Sequence, residues 1–187
     1  MKRKVALLGD SIRLMGYGQL TTELLGENVE VFSPEDNCRF AKYLLRGIFE
    51  WRDILKDCEV IHWNCGLWDV CSILGDDMLF TSDEEYVENI MRIATLLKKI
   101  TPNVIFATTT PVRENHPHNK NSDIERFNVL VVPKLKELGV QINDLYAIVA
   151  DDIQGNICDD LIHLSPKGIE LCAKQVAEMI ADNLHIQ

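Results

Sequence analysis

Five short apolar runs, each followed by a stretch of helical periodicity, constrain this 187-residue chain more than any other feature. The runs are Val5-Ala6-Leu7-Leu8, Val29-Glu30-Val31-Phe32, Val60-Ile61-His62-Trp63, Val104-Ile105-Phe106-Ala107 and Val140-Gln141-Ile142. The nearly continuous ones lack the polar alternation of a strand with one wet face, so they read as strands covered on both sides. The intervening stretches read as helices. Residues 19–25 suit a short one, and Phe40, Leu44, Leu45, Ile48, Trp51 and Leu55 recur at helical spacing. Ser82-Asp83-Glu84-Glu85 is a capping box, opening a long helix with Tyr86, Ile90, Ile93, Leu97 and Ile100 on one face. Ser122-Asp123-Ile124-Glu125 is a second capping box, with a helix running to about Leu138. Ser165-Pro166 supplies an N-cap and a first-turn proline for a last helix through Ala173, Val176, Ile180 and Leu184. The stretch from Leu145 to Leu164 reads as mostly loop.

Strands alternating with helices predict a parallel sheet with helices on both faces. Right-handed crossovers then give a doubly wound, flavodoxin-like layout, a three-layer α/β/α sandwich around five parallel strands. The chain shows no repeat, low-complexity tract or linker, and 47% apolar residues suffice for one core. Residues 1–187 are therefore read as a single domain. In such sheets ligands bind beyond the carboxyl ends of the strands, so the residues that follow strands matter most.

Charge and composition exclude several classes of function. A net charge of −10 argues against a nucleic-acid or anionic-membrane partner, which needs clustered Lys and Arg. Lys2-Arg3-Lys4 is the only tight basic run, and it leads straight into a strand. No apolar run approaches the ~20 residues that span a bilayer, and Val5–Gly9 is shorter than the apolar core of a signal peptide. A soluble, cytoplasmic protein is expected. The six cysteines are scattered, with no Cys-x-x-Cys pair, and are expected to be reduced. His62, Cys65 and Cys71 form a loose cluster without zinc-ligand spacing, and His116-Pro117-His118 reads as a solvated loop, so no metal is expected. Gly16-Tyr17-Gly18 lacks the third glycine of a dinucleotide fingerprint, and no phosphate-binding P-loop motif occurs, so no cofactor is expected.

Two motifs at strand ends carry chemistry. Gly9-Asp10-Ser11 follows the first strand. Ser11 suits a helix cap, but it also suits a nucleophile whose own N–H helps bind an oxyanion. A serine hydroxyl needs a base within hydrogen-bond reach. Asp160-Leu161-Ile162-His163, just before the last helix, places a carboxylate where it can accept from one ring nitrogen, leaving the other to take a serine proton. Beyond strand four, Thr110 and Arg113 could touch substrate, although Pro111 favours a plain turn.

Together these motifs resemble the GDSL-type esterases and acylhydrolases, or SGNH hydrolases, over nearly the whole chain. The matching residues are Gly9-Asp10-Ser11, the loop after strand two, Gly66-Leu67-Trp68-Asp69 after strand three, and Asp160-x-x-His163. The resemblance implies a metal-free serine hydrolase with Ser11 as nucleophile, His163 as general base and Asp160 as its orienting partner. It also implies three oxyanion donors, and here the sequence departs. The loop after strand two has no glycine, so Asn37 or Cys38 would supply the backbone donor. Trp68 stands in the asparagine slot of a Gly-x-Asn-Asp motif, and Asn64 would offer its amide instead. The expected oxyanion donors are Ser11, Cys38 and Asn64, with Asp10, Asn37, Gly66 and Trp68 as further substrate-binding residues.

The expected partner is a small soluble ester, with acetyl groups on carbohydrates as the first choice. Self-association into a homo-oligomer is compatible with the sequence. A catalytically silent binding module on the same fold is the alternative that the altered oxyanion positions suggest, and a phosphate or nucleotide binder using residues 9–18 is the other. Cys38 near the site would make activity sensitive to thiol reagents.

Overall fold

The computed structural model describes residues 2–76 and 78–186. Each apolar run forms a strand: β1 Arg3–Leu8, β2 Val29–Phe32, β3 Val60–Asn64, β4 Asn103–Ala107 and β5 Gln141–Asn143. All neighbours are parallel, in the order β2-β1-β3-β4-β5. The winding direction reverses between β1 and β3. Leu8 lies beside Trp63, and Trp63 beside Phe106, so the carboxyl ends of the three central strands finish level.

The helices are α1 Gly18–Leu25, α2 Ala41–Glu50, α3 Arg52–Leu55, α4 Asp83–Lys98, α5 Asn121–Glu137, α6 Leu145–Ala150, α7 Ile153–Asn156 and α8 Pro166–Leu184. α1 packs on α8 in one layer, whereas α2, α4 and α5 pack in series in the other. The doubly wound three-layer sandwich is thus the architecture found. Burial on both sides explains why the strands are apolar throughout. Trp63 packs on Phe106 at 4.7 Å between ring centres, and Tyr86 stacks on Phe127 at 4.4 Å. The one imidazole in the sheet, His62, is wholly buried, and burial pushes it down to about 3, which keeps it neutral. Its Nε2 accepts from the Asn143 amide (3.2 Å), and Asn143 Oδ1 accepts from Gln175 (2.5 Å), tying β3, β5 and α8 together.

Helix starts follow the caps in two of three cases. Ser82 accepts from Glu85 N–H and Ser165 from Gly168 N–H, as the spacing predicts. The box at Ser122 does not cap. Helix α5 begins earlier, because the Asn121 side chain clasps both the N–H and the carbonyl of Val112, at 2.8 Å each, and pins the chain there. The single helix expected from Phe40 to Leu55 breaks at Trp51, whose ring packs against Gly47 and edge-on to Phe32. The stretch from Leu145 to Leu164 also differs, because it holds α6 and α7. Asp144 and Asp152 cap these helices by accepting from Ala147 and Gly155 N–H.

Gly66, just past β3, has φ +141, and a Cβ there would sit 2.1 Å from Thr109 Oγ1. That hydroxyl donates to the Cys65 carbonyl at 2.9 Å and cannot move without losing the bond. Gly66→Ala is expected to cost about 2 kcal/mol or more. Urea unfolding measures this, and an unchanged midpoint would contradict the account.

Candidate active site

Ser11 sits where β1 ends at the winding reversal, and is 8% exposed. The Asp160–His163 loop reaches it from the far end of the chain. An antiparallel bridge between Ile157 and Leu164 closes the base of this loop, and Cys158 N–H donates to the His163 carbonyl at 2.7 Å. Leu161 takes φ +73 so that Asp160 Oδ1 can receive the N–H groups of Ile162 (3.1 Å) and His163 (3.0 Å). The other oxygen, Oδ2, accepts from His163 Nδ1–H at 2.7 Å. Partial burial pushes the Asp160 carboxyl up, but the His163 hydrogen bonds outweigh it and hold the group below its ordinary value. With Nδ1 carrying its proton toward a carboxylate, Nε2 is left as an acceptor, and Ser11 Oγ–H donates to it at 3.0 Å. Three side chains that start 149 or more positions apart, or three positions apart, thus form one hydrogen-bonded chain.

A network beneath the serine holds the turn in shape. Asp10 Oδ1 accepts from Ile12 N–H (2.9 Å) and from the Asn64 amide (2.7 Å), and Asn64 Oδ1 accepts from Tyr17 O–H (2.9 Å). The Arg13 guanidinium is buried. It donates to the carbonyls of Gly9 (3.0 Å), Pro34 (2.6 Å) and Asp36 (2.8 Å) and to Ser33 Oγ (3.2 Å). The helical turns of Ile12–Tyr17 are widened to π-type geometry and broken at Gly16, which lets this side chain turn inward.

This network re-places several expected donors. The Cys38 N–H is engaged, because it donates to the Gly9 carbonyl at 3.1 Å. Asn64 is 5% exposed, and its amide locks Asp10 from below. Asn37 turns its Oδ1 back onto Arg39 N–H at 2.9 Å. Asp10 and Gly66 are buried supports of their turns. Of the further substrate-binding residues, only Trp68 lines the cleft at Ser11, at 37% exposure. No described residue accepts from the Ser11 N–H.

The cleft is small, about 160 Å³, and its walls are Leu67, Trp68, Cys71, Ile73, His116, His118, Asn119 and Ile162. A wider groove of about 530 Å³ lies between α5 and β5, but Ser11 lines only the smaller of the two. Sequence reasoning treated His116 and His118 as solvated loop and missed both arginine braces. Arg113 does not line this cleft. Its N–H donates to the Leu161 carbonyl (2.9 Å), and its guanidinium holds Asp159 (2.9 Å), the Gln154 carbonyl (2.7 Å) and the Ile157 carbonyl, steadying the loop that carries His163. Thr110 is buried. Among the described residues no three metal-ligating side chains converge.

No protein-family model and no curated protein sequence matches the chain. Solved structures do match. A lipase/acylhydrolase from Enterococcus faecalis aligns with a TM-score of 0.78 at 18% identity, over 99% of this chain and 97% of its own. The acetyl xylan esterase AlAXEase aligns with a TM-score of 0.78 at 18% identity, over 95% and 99%. This is the SGNH-hydrolase fold. Another structure with the same SGNH layout is Axe2, an acetylxylan esterase from Geobacillus stearothermophilus, with a TM-score of 0.76 at 15% identity over 99% and 95%. Catalytic mutants of Axe2 match too. They carry alanine in place of a serine, an aspartate and, three positions after that aspartate, a histidine.

Asp69 completes the frame. Both of its oxygens receive Ala41 N–H, at 3.0 and 3.2 Å, at the start of α2, and Thr81 Oγ–H adds a third bond at 3.1 Å. Burial nevertheless pushes its carboxyl up to about 7. An unfolded aspartate titrates near ~4, so between about pH 4 and 7 the folded protein holds a proton that the unfolded chain has lost. Stability from this group therefore falls as pH rises through that window. Asp69→Asn cannot ionise, so its Tm is expected to gain several degrees relative to the parent between pH 5 and pH 8. A pH-independent difference in paired thermal melts would refute this.

Proposed function

We propose that this chain is a single-domain serine hydrolase of GDSL type, cleaving carboxylic esters of small soluble molecules, with short acyl groups such as acetyl preferred. The observation that carries the reading is the chain Ser11 Oγ–His163 Nε2, His163 Nδ1–Asp160 at 3.0 and 2.7 Å, at the edge of the sheet where such folds bind ligands. The likeness to esterases and to an acylhydrolase agrees with it, and the narrow cleft favours a short acyl chain over a long one. Acetylated carbohydrate is the substrate class suggested by the acetylxylan esterase neighbours.

The proton transfers need only these three side chains. Ser11 Oγ attacks the carbonyl carbon as its proton passes to His163 Nε2. Asp160 stabilises the imidazolium that forms. The Ser11 N–H donates to the developing oxyanion. The tetrahedral adduct expels the alcohol, whose oxygen takes the proton from Nε2, and an acyl-Ser11 ester remains. Water then gives a proton to Nε2, attacks the acyl carbon and releases the acid, and the proton returns to Ser11 Oγ.

A second reading, a silent binding module on the same fold, draws on the engagement of the Cys38 N–H and on Trp68 in the asparagine slot. One comparison separates the two. The parent is expected to hydrolyse p-nitrophenyl acetate and to be labelled at Ser11 by a fluorophosphonate, while Ser11→Ala falls by about 10³-fold or more to background. A parent that neither turns over nor labels would favour the binding module. Asp160→Asn should lower kcat by about 10²-fold or more at little change in KM, because it loses the carboxylate that orients and stabilises the imidazolium. A kcat within threefold of the parent would remove Asp160 from the mechanism.

A further inference from the structure

The reading as an ester hydrolase leaves a deficit at the oxyanion. Of its three expected donors, the Cys38 N–H is bonded to the Gly9 carbonyl, and Asn64, one of whose two amide N–H groups is bonded to Asp10, does not line the cleft, which leaves the Ser11 N–H. Removing one such donor typically costs about 10²–10³ in rate, so a working site needs another group in the cleft. The polar side chains in the cleft wall narrow the choice. The Asn119 amide is buried and donates to the Leu67 carbonyl at 2.8 Å, and the Cys71 thiol donates to the Trp68 carbonyl at 2.9 Å. The His118 ring is exposed at the rim.

His116 is different. Its Nδ1 accepts two backbone N–H groups, from His118 at 3.3 Å and from Asn119 at 3.0 Å. Pro117, between His116 and His118, has no N–H to compete. A backbone N–H can only donate, so Nδ1 must be bare, and the neutral ring carries its proton on Nε2. Burial, with His118 and His163 nearby, pushes His116 below the ordinary histidine value against the pull of Asp160, which agrees with a ring held neutral. The loop itself is fastened over the site. The His118 carbonyl receives Ser72 N–H at 2.8 Å, and Asn119 is bonded to Leu67, so both sides of the turn are tied to the segment that carries Trp68. The ring therefore stands in the wall of the Ser11 cleft with its orientation fixed and a proton available on its outer nitrogen.

We propose that His116, through Nε2–H, is an oxyanion donor of this hydrolase, standing in for the side-chain donor that Trp68 displaces. It is a neutral hydrogen-bond donor and exchanges no proton with substrate. The inference rests on the ester-hydrolase reading and adds a residue from the loop after β4 to its machinery.

Two substitutions separate this role from support of the turn. His116→Asn keeps an acceptor for the His118 and Asn119 N–H groups but removes the outer donor. His116→Gln weakens the acceptor but extends an amide N–H toward the position of Nε2. The readouts are kcat and KM on p-nitrophenyl acetate, and affinity for methylboronic acid, whose tetrahedral adduct with Ser11 mimics the oxyanion. Thermal melts report folding. The expected result is a kcat about 10²-fold lower for His116→Asn with KM within threefold, a matching loss of boronate affinity, and a smaller loss for His116→Gln. The reverse order, with Gln worse than Asn and a lowered Tm, would make His116 a structural cap and overturn the proposal. So would a His116→Asn kcat within threefold of the parent, or a loss confined to KM. If Trp68→Phe shows the kcat loss and His116→Asn does not, the donor is the indole N–H. A parent inert to both ester and boronate would overturn the hydrolase reading itself, and the donor role with it.

Discussion

The buried Arg13 guanidinium holds together the parts of the molecule on which the site depends. It joins the Gly9 carbonyl at the end of β1 to the carbonyls of Pro34 and Asp36 in the loop after β2. A buried charge is tolerated when most of its donors are met, and here the two terminal nitrogens meet four acceptors while Nε is left without a partner among the described residues. The Gly9 carbonyl also takes the Cys38 N–H, so two loops converge on one peptide group. That convergence fixes the turn that presents Ser11. It also uses up a backbone donor that the sequence pattern suggested for catalysis.

The site is assembled in two halves of different character. The serine half is buried and over-determined, with Asp10, Asn64 and Tyr17 bonded in series below it. Burial pushes the Asp10 carboxyl up, so the polar cluster stands in a poorly solvated place where each hydrogen bond counts for more. The histidine half is a surface loop. Its shape comes from Asp160 accepting two N–H groups around a left-handed Leu161, and its position comes from Arg113. A serine held rigidly from below faces a histidine on a loop that is anchored at its base by Ile157 and Leu164 and lies near solvent at its tip. Small movements of the loop would therefore alter the contact between Nε2 and Oγ before anything else.

Much of this was legible along the chain. The strand runs, the parallel order and the caps at Ser82 and Ser165 follow from periodicity and from side chains that bond their own neighbours. Gly9-Asp10-Ser11 and Asp160-x-x-His163 were legible for the same reason, since each is a local turn. The misreadings share a cause. The Ser122 box gave way to Asn121 because Val112, nine residues away, captured the chain first. Cys38 and Asn64 looked free because their partners, Gly9 and Asp10, are more than 25 positions distant. His116-Pro117-His118 looked like open loop because nothing in its composition shows that Ser72 and Leu67 fasten it over the cleft.

The sequence by itself determined the doubly wound sheet, the turn at Gly9-Asp10-Ser11 and the pairing of Asp160 with His163. Those features rest on spacing of a few residues, where backbone geometry leaves little freedom. Only the tertiary structure decided which donors remain unspent at Ser11. A polar group has a fixed number of bonds to give, and whether a distant carbonyl has already taken them is settled by packing across the sheet.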